Sequence, residues 1–329
     1  MTSNGEAAGA EDTAKGAWSV PPGDAGLRCH LDGELVPIED AGVSVLDRGF
    51  RYGDAAFETL RAYGGTVFEW AAHAERLERT CAGLQLEHGI DREDFHARIE
   101  ETLAANDLAD AYVRLSVTRG IQAGTLAPDP AIDPTVVVLV RPLPRGGLEG
   151  ESTWDDPATV ATVQTRRVPG TAIPAHLKTH SYLNGVLARL EVPDADEVLL
   201  REVPGAHASD RIPDGAGAIA EDAGAIAEGS VSNVFAVRDS TLVTPSLEGS
   251  VLPGITRRVV LELAADAGIP VAERSLTLRD LRTAEECFLT NTTWEIRPVG
   301  ELDGRSFEVG PVTERLARRF DEHVERTCY

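Results

Sequence analysis

The stretch HLKTHSYLNGVLARLE, residues 176–191, contains Lys178, one of only two lysines in a chain of 329 residues. The other is Lys15, and the remaining 29 of the 31 basic residues are arginine. Lys178 lies between a proline-punctuated strand end and a predicted amphipathic helix. A surface lysine at a helix start is the ordinary interpretation of such a position. In a chain that otherwise avoids lysine, we favour a functional one.

Two further segments contain candidate polar groups. Glu228 begins EGSVSNVFAV, where we expect a loop to pass into a strand. The hexapeptide AGAIAE occurs at 216–221 and again at 223–228, so Glu221 is a rival, but only Glu228 is followed by GSVSNVF. The segment LPGITRRVVLELA, from residue 252, reads as a helix N-terminus whose free N–H groups favour an anion such as phosphate.

These groups are the ones that pyridoxal phosphate (PLP) chemistry needs. The cofactor's aldehyde requires a lysine, its pyridine nitrogen an acidic partner, and its phosphate cationic and N–H donors. Lys178 and Glu228 suit the first two requirements. Ile255 and Thr256, in the first turn of the predicted helix, and Arg76, in HAERL, suit the third. Taken alone, Arg76 would be interpreted as a surface arginine.

The hydrophobic pattern predicts an α+β protein with a small unit followed by a large one. We expect a disordered acidic tail over 1–26, a small α+β domain over 27–145 and a larger domain over 146–329, with an insertion loop over 204–227. Helices are predicted near 72–87, 92–106, 180–191, 255–267 and 311–326, and strands within 29–38 and 50–70 and near 111–118, 135–141, 158–165, 196–201, 231–237, 242–244 and 286–290.

Composition narrows the function classes. The net charge of −23 repels nucleic acid and anionic membranes, and no apolar stretch is long enough to span a bilayer. The four scattered cysteines indicate neither a disulfide framework nor a zinc site, so no metal is expected. Residues 1–24 lack the pattern of a signal peptide, which favours the cytoplasm. Abundant carboxylates with few lysines suggest adaptation to high salt.

Seven motifs along the chain together resemble the class IV aminotransferase family, the fold-type IV PLP enzymes. The resemblance runs from about Cys29 to about Leu316, and its motifs occur in family order. They are DRGFRYGDAAFETLR, HAERL, YVRLSVTRG, KTHSYLNGVLA, EGSVSNVF, LPGITR and FLTNTTWEIRPV. The family includes branched-chain aminotransferases, D-amino acid aminotransferases and 4-amino-4-deoxychorismate lyases. The resemblance implies PLP, a larger β-barrel-like C-terminal domain with helices, and a homodimer in which both subunits contribute to each site.

The resemblance also implies roles for individual residues. Lys178 would form the Schiff base with the cofactor, and Glu228 would contact its pyridine nitrogen. Tyr182 is similar to the tyrosine near the cofactor's phenolic oxygen. The residues that look like phosphate ligands are Arg76, Ile255, Thr256 and Thr292. Those that fall where family members line the substrate pocket are Phe57, Tyr112, Arg114, Thr293 and Trp294.

The choice among family members stays open. D-amino acid aminotransferases are disfavoured because IQAGTLAPDP, after Gly120, lacks their Arg/His carboxylate trap and Phe57 replaces their tyrosine. Tyr112-Val113-Arg114 resembles the YxR of branched-chain aminotransferases, whereas Thr59 and FETLR look more like the lyase. We favour a transaminase acting on branched-chain amino acids, with the lyase that releases pyruvate and 4-aminobenzoate as the alternative. A non-enzymatic PLP-binding or partner-binding scaffold would require a broken cofactor contact, and none is evident.

Overall fold

A computed structural model describes residues 21–129, 133–145, 156–204 and 224–329. Its framework is two β-sheets that follow one another along the chain. The first part has two hairpin strands, a short helix, a long strand, two helices of 14 residues and two more strands. Their bounds are β1 (Arg28–Leu31), β2 (Glu34–Pro37), α1 (Arg48–Tyr52), β3 (Ala55–Tyr63), β4 (Thr66–Val67), α2 (Trp70–Gly83), α3 (Arg92–Ala105), β5 (Ala111–Thr118) and β6 (Thr135–Pro142).

The first sheet is antiparallel throughout, in the order β2-β1-β6-β5-β3-β4. Strand β5 alternates in sequence, so Val113, Leu115 and Val117 lie on its core face, while Tyr112 and Arg114 lie on the other. Helices α2 and α3 cover the core face with apolar side chains at helical spacing. The opposite face is therefore free to form part of a cavity.

The second sheet has nine strands in the order β12-β11-β10-β13-β14-β7-β8-β9, with β15 paired to β14. It is mixed, because β7 runs parallel to both β8 and β14, and β11 runs parallel to β12. The element bounds are β7 (Ala158–Arg166), α4 (Leu183–Glu191), β8 (Glu197–Arg201), β9 (Ile226–Gly229), β10 (Asn233–Arg238), β11 (Thr241–Thr244), α5 (Ile255–Asp266), β12 (Val271–Glu273), α6 (Leu278–Arg282), β13 (Glu286–Asn291), β14 (Glu295–Leu302), β15 (Arg305–Ser306) and α7 (Pro311–Cys328).

The edges of this second sheet approach each other. The Ile226 N–H, on edge strand β9, donates to the Leu276 carbonyl, three residues beyond β12, at 2.6 Å. Side chains from strands across the whole sheet, including Leu199, Val234 and Leu289, pack into one interior cluster. The sheet is therefore curled into a barrel-like form, and the predicted α+β architecture with a barrel-like second part is confirmed.

The two sheets are joined at the chain segment that contains Lys178. Ala56 of β3 pairs with Thr179 in an isolated antiparallel bridge. The Phe57 N–H donates to the Lys178 carbonyl at 3.0 Å, and the His180 N–H donates to the Ala55 carbonyl at 3.0 Å. The backbone of the candidate lysine is thus fixed to the first sheet.

The structure corrects several expectations from sequence. The tail predicted over 1–26 is wrong at its end, because Asp24 is buried and its carboxylate accepts from Arg141 at 2.5 Å. The predicted 204–227 loop overlaps strand β9, so Glu228 lies within a strand and not in a loop. Residues 1–20, 146–155 and 205–223 lie outside the described part, so the domain boundaries stay predictions. Strands β9, β12, β14 and β15 and helices α1 and α6 were not predicted.

Within the described ranges, none of the helices combines the length and apolar character needed to cross a bilayer. The same residues contain no group of three or more His, Cys, Asp or Glu side chains suited to a metal. All four cysteines are free and buried, including Cys328 in α7.

Candidate active site

A cavity of about 420 Å³ lies between the two sheets. Strands β3 and β5 and helix α2 line it from the first sheet. The Lys178 segment, β9, the start of α5 and the β13–β14 turn line it from the second. All twelve residues singled out from sequence lie in its wall, namely Phe57, Arg76, Tyr112, Arg114, Lys178, Tyr182, Glu228, Ile255, Thr256, Thr292, Thr293 and Trp294. The fold therefore brings together groups that are spread over more than two hundred residues of sequence.

The Lys178 amine is half-buried, with its main chain held on both sides. Its N–H donates to the Thr80 hydroxyl at 3.1 Å, and its carbonyl accepts from Phe57. Its Nζ donates to the Tyr182 hydroxyl at 3.1 Å and lies 4.5 Å from the centroid of the Phe57 ring. Because the backbone of Lys178 is held by hydrogen bonds on both sides, its amine can reach only a small part of the cavity. A nucleophile requires such a fixed position.

Helix α2 supports this arrangement with one of its faces. Residues 73, 76, 80 and 83 follow helical spacing and so share a face. Thr80 Oγ1 donates to the Arg76 carbonyl at 2.9 Å while accepting from the Lys178 N–H. At Gly83 a Cβ would approach the Leu177 side chain to 2.5 Å, so the glycine permits the close contact between the helix and the Lys178 segment.

Glu228 is a buried carboxylate whose two oxygens are both engaged. Oε1 accepts from Arg167 Nε at 2.7 Å, and Oε2 accepts from the Leu252 N–H at 2.8 Å. Burial raises the pKa of Glu228, and the opposing effects of Arg167, the Leu252 N–H and Lys178 do not fully offset it. A carboxylate in such a site gains from a further hydrogen-bond donor or positive charge.

The start of helix α5 lies in the wall of the cavity and is suited to binding an anion. Its N-cap, Gly254, provides no side-chain cap, so the N–H groups of the first turn need another partner. A Cβ at Gly254 would approach Asn233 Oδ1 to 2.0 Å, which requires glycine at this position. Thr290 Oγ1, in the same wall, is buried without a hydrogen-bond partner within the described residues. The site therefore holds unused polar groups.

The β13–β14 turn, which carries three of the predicted residues, is rigidly held. Asn291 Oδ1 accepts from the Thr293 N–H at 3.0 Å and from the Trp294 N–H at 2.7 Å. Arg61 is buried and donates to the Thr293 carbonyl at 2.8 Å. Glu295 follows in the left-handed region, with φ 58°, and accepts from the Tyr63 hydroxyl. The turn is thus tied to β3 of the first sheet.

Arg114 is the cation on the opposite wall. Its guanidinium lies 3.9 Å from the centroid of the Phe57 ring, a cation–π contact. No hydrogen bond or ion pair of the Arg114 side chain is found among the described residues, although the sequence carries 54 acidic residues. A half-buried arginine without a carboxylate partner in a cavity is suited to binding the carboxylate of a ligand.

Several residues that line the cavity were missed from sequence. Thr59 is two residues from Phe57 on β3, so strand alternation predicts that both face the cavity. His180 is two residues from Lys178, and its Nε2 is buried without a partner in the described residues. Burial lowers the pKa of His180 to about 4, so the ring is neutral at pH 7. The other missed wall residues are Gly229, Ser230, Val231, Ser232, Asn233, Leu252, Gly254, Thr290 and Asn291.

The residues present fit PLP. An amine beside a tyrosine hydroxyl suits its aldehyde and phenolic oxygen, and a buried carboxylate suits its pyridine nitrogen. An uncapped helix N-terminus beside Arg76 suits its phosphate. The second sheet provides most of these groups, and Phe57, Tyr112 and Arg114 of the first sheet leave room for a small substrate.

Comparisons with known proteins point the same way. The family model for class IV amino-transferases matches residues 55–302. The chain is 38% identical over 301 residues to a putative branched-chain-amino-acid aminotransferase of Methanocaldococcus jannaschii, covering 90% of this chain and 96% of that protein. It is 30% identical to a D-alanine aminotransferase of Listeria monocytogenes, covering 92% and 98%. The crystal structure of the Thermoproteus uzoniensis branched-chain aminotransferase with norvaline superimposes with a TM-score of 0.77 at 31% identity, over 91% of this chain and 94% of that one.

Proposed function

The chain belongs to the class IV aminotransferases, PLP-dependent enzymes, and from this premise we propose that it transfers amino groups between branched-chain amino acids and a 2-oxo acid. One observation carries the proposal. Lys178 Nζ lies 3.1 Å from the Tyr182 hydroxyl in a cavity that also contains the buried carboxylate of Glu228 and the unpaired cation of Arg114.

Lys178 is the proposed catalytic residue. Bound PLP supplies an electron-withdrawing ring that makes the α-proton of the substrate amine acidic. Lys178 would hold the cofactor through its aldehyde, and its amine Nζ, when free, is placed to accept the α-proton of the substrate and to give it back. The Tyr182 hydroxyl orients Nζ and would bind the phenolic oxygen of the cofactor. The Glu228 carboxylate would accept a hydrogen bond from the protonated ring nitrogen and stabilise its charge.

The phosphate is the proposed ligand of the α5 N-terminus. The N–H groups of Ile255 and Thr256 belong to the uncapped first turn, where the helix dipole favours a dianion. Thr292, in the rigid β13–β14 turn, and Arg76, in α2, contribute from the two flanking walls. These ligands would hold the phosphate end of the cofactor and Lys178 its aldehyde end, which would leave the bound cofactor little freedom to move.

The substrate side of the cavity supports a small amino acid with an aliphatic side chain. Arg114 is the proposed partner of the substrate carboxylate, with Tyr112 and Thr293 beside it. Phe57 and Trp294 supply apolar surface for the side chain. The names of the M. jannaschii and T. uzoniensis proteins favour branched-chain amino acids. The alternative, aminodeoxychorismate lyase, is favoured by Thr59 and the FETLR segment.

A two-substrate assay distinguishes these alternatives. Purified protein with PLP is offered leucine with 2-oxoglutarate, and separately aminodeoxychorismate. We expect glutamate from the first and no pyruvate from the second. Pyruvate from the second assay without glutamate from the first would show that the protein is the lyase and not the transaminase.

An Arg114→Leu variant should lose about 10²-fold or more in kcat/KM for leucine, because the buried carboxylate of the substrate would lose its charged partner. An unchanged kcat/KM would remove Arg114 from the substrate site.

We propose that two copies of the chain associate through the exposed face of α4. Leu183, Val186, Leu187 and Leu190 follow i, i+3, i+4, i+7 spacing, and Leu183 and Leu190 are 68% and 69% exposed. A second group of exposed apolar side chains contains Phe50 and Leu126. Apolar surface of this extent indicates a protein interface, and a second copy carries both complementary groups.

A charged substitution tests this interface. Leu187→Glu places a carboxylate in the centre of the face, and we expect it to convert a dimer into a monomer of 35.1 kDa in light scattering. Val309→Glu, at an exposed residue in the segment before α7, is the matched control and should leave the dimer mass unchanged. A monomeric wild-type protein, or a dimeric L187E variant, would refute the proposed interface.

We also propose that the protein is adapted to high salt, because its net charge is −23 and it has only two lysines, and, as a separate proposal, that it is cytoplasmic. Salt screens the mutual repulsion of the surface carboxylates, so the transaminase assay should run faster at about 1 M than at about 0.1 M salt. A rate and a melting temperature that do not change with salt would contradict the adaptation.

Cell fractionation tests the proposed cytoplasmic location. Activity confined to the membrane fraction would contradict it.

A further inference from the structure

Glu58 is a fully buried carboxylate with no access to solvent, and it is held by two side chains of helix α2. Its Oε1 accepts from Arg76 Nε at 2.8 Å, and its Oε2 accepts from Arg76 Nη2 at 2.6 Å. His73 Nδ1 lies 2.8 Å from Oε2. Burial alone would raise the pKa of Glu58, but Arg76 and His73 lower it to about 2, so the carboxylate is ionised.

His73 completes this cluster as a neutral donor. Burial lowers the pKa of His73 more than Glu58 raises it. The ring therefore carries no charge at neutral pH and donates Nδ1–H to the carboxylate. The three side chains together have no net charge, and each of them is buried.

A buried ion pair of this kind is weak evidence for a contribution to stability, because an apolar replacement of similar volume is often as stable. The location of the Glu58–His73–Arg76 cluster indicates another role for it. Arg76 Nη1 donates to the Pro253 carbonyl at 3.0 Å, and Pro253 directly precedes the N-cap of α5. The cluster therefore connects β3, α2 and the start of α5, which are three walls of the cavity.

Two N–H groups of the Arg76 guanidinium are not used by Glu58 or Pro253. A guanidinium has five N–H groups, and three of them are used by Glu58 and Pro253. The remaining two, one on Nη1 and one on Nη2, belong to a residue that lines the cavity beside Ile255 and Thr256. With its other edge fixed by Glu58, the guanidinium cannot rotate without breaking charge-assisted hydrogen bonds.

We propose that Glu58 is a positioning residue that, with His73, holds the Arg76 guanidinium in the orientation that binds the cofactor phosphate. The inference rests on the proposed role of Arg76 as a phosphate ligand and deepens it. It assigns to Glu58 an effect on phosphate recognition that a purely structural carboxylate would not have.

The test compares PLP with pyridoxal, which has the same ring and aldehyde but no phosphate. The full-length chain, freed of cofactor, is titrated with each compound, and Kd is followed by the absorbance of the bound cofactor. Glu58→Gln keeps the shape of the side chain but places an amide N–H against an Arg76 N–H. We expect the Kd for PLP to rise about 10- to 100-fold. The Kd for pyridoxal should change less than about threefold, within the range of a minor packing change.

Glu286→Gln is the matched control. Glu286 is also a buried carboxylate, but it accepts from the Thr313 N–H and hydroxyl at 2.7 Å at the start of α7, away from the cavity. It should leave the ratio of the two Kd values unchanged. An E58Q protein with the wild-type ratio, or an equal loss of ratio in E286Q, would overturn the inference.

A second variant keeps the inference testable if E58Q does not fold. His73→Phe removes one hydrogen bond to Glu58 Oε2 and leaves the ion pair in place. We expect a smaller loss specific to PLP, about three- to tenfold. An equal rise in the Kd values for PLP and pyridoxal would show that His73 and Glu58 have a structural role only. A wild-type protein that does not prefer PLP to pyridoxal would instead refute the proposed phosphate ligands.

Discussion

Replacing Lys178 with Ala is expected to lower the rate of transamination by at least about 10⁴-fold, because one substitution removes both the proposed covalent anchor of the cofactor and the proposed base for the α-proton. The described residues contain no other lysine. Because Lys178 is half-buried at a segment held by backbone hydrogen bonds, its loss should leave the fold intact.

The matched control for this variant is the other lysine of the chain. Lys15→Ala should retain full activity and full trapping of the cofactor by borohydride, whereas Lys178→Ala should lose both. Circular dichroism of the two variants checks that the fold is unchanged. Trapping that persists in K178A would show that another group holds the cofactor and would refute the assignment.

Replacing Glu228 with Gln is expected to lower kcat by about 10²- to 10³-fold, the usual effect of removing one preorganised electrostatic group from an active site. Gln keeps the side-chain shape and can still accept from the Leu252 N–H. It cannot carry the negative charge that stabilises a protonated pyridine nitrogen. The change should also alter the absorbance of the bound cofactor, which a loss of stability alone would not do.

The pH dependence follows from the direction of the Glu228 shift. Its pKa is raised by burial, so the ionised form that catalysis needs is lost at a higher pH than for an ordinary glutamate as the pH falls. We therefore expect an acidic limb in the kcat profile of the wild type that is absent in E228Q. Glu221→Gln changes the duplicate hexapeptide and is the matched control, with an unchanged kcat and profile. A fully active E228Q protein would contradict the role of Glu228.

The strands and helices that could be predicted from sequence are those with long, regular patterns. Strand β14 was missed because EIRPVGEL contains a proline and a glycine, which usually argue against a strand. In the structure the ladder to β7 is irregular between Val299 and Glu301, and at Gly300 a Cβ would approach Pro157 to 2.9 Å. The bulge thus accommodates residues that break a regular strand.

The wall residues of the candidate site could be predicted because each belongs to a motif with a fixed place in the sequence. Their partners could not. Arg76 alone resembles a surface arginine of an amphipathic helix, and it is buried because Glu58 comes from a distant strand. The contact of Thr80 with Lys178 and that of Arg167 with Glu228 also depend on tertiary structure. Composition and motif spacing identify the groups, whereas only the fold shows what orients them.

The most direct test of the central claim is the position at which the cofactor is attached. Purified wild-type protein is loaded with PLP, reduced with borohydride, digested and mapped by mass spectrometry. We expect a phosphopyridoxyl group on Lys178 and on no other residue. A protein that acquires no cofactor absorbance, or one labelled elsewhere with Lys178 unmodified, would contradict it.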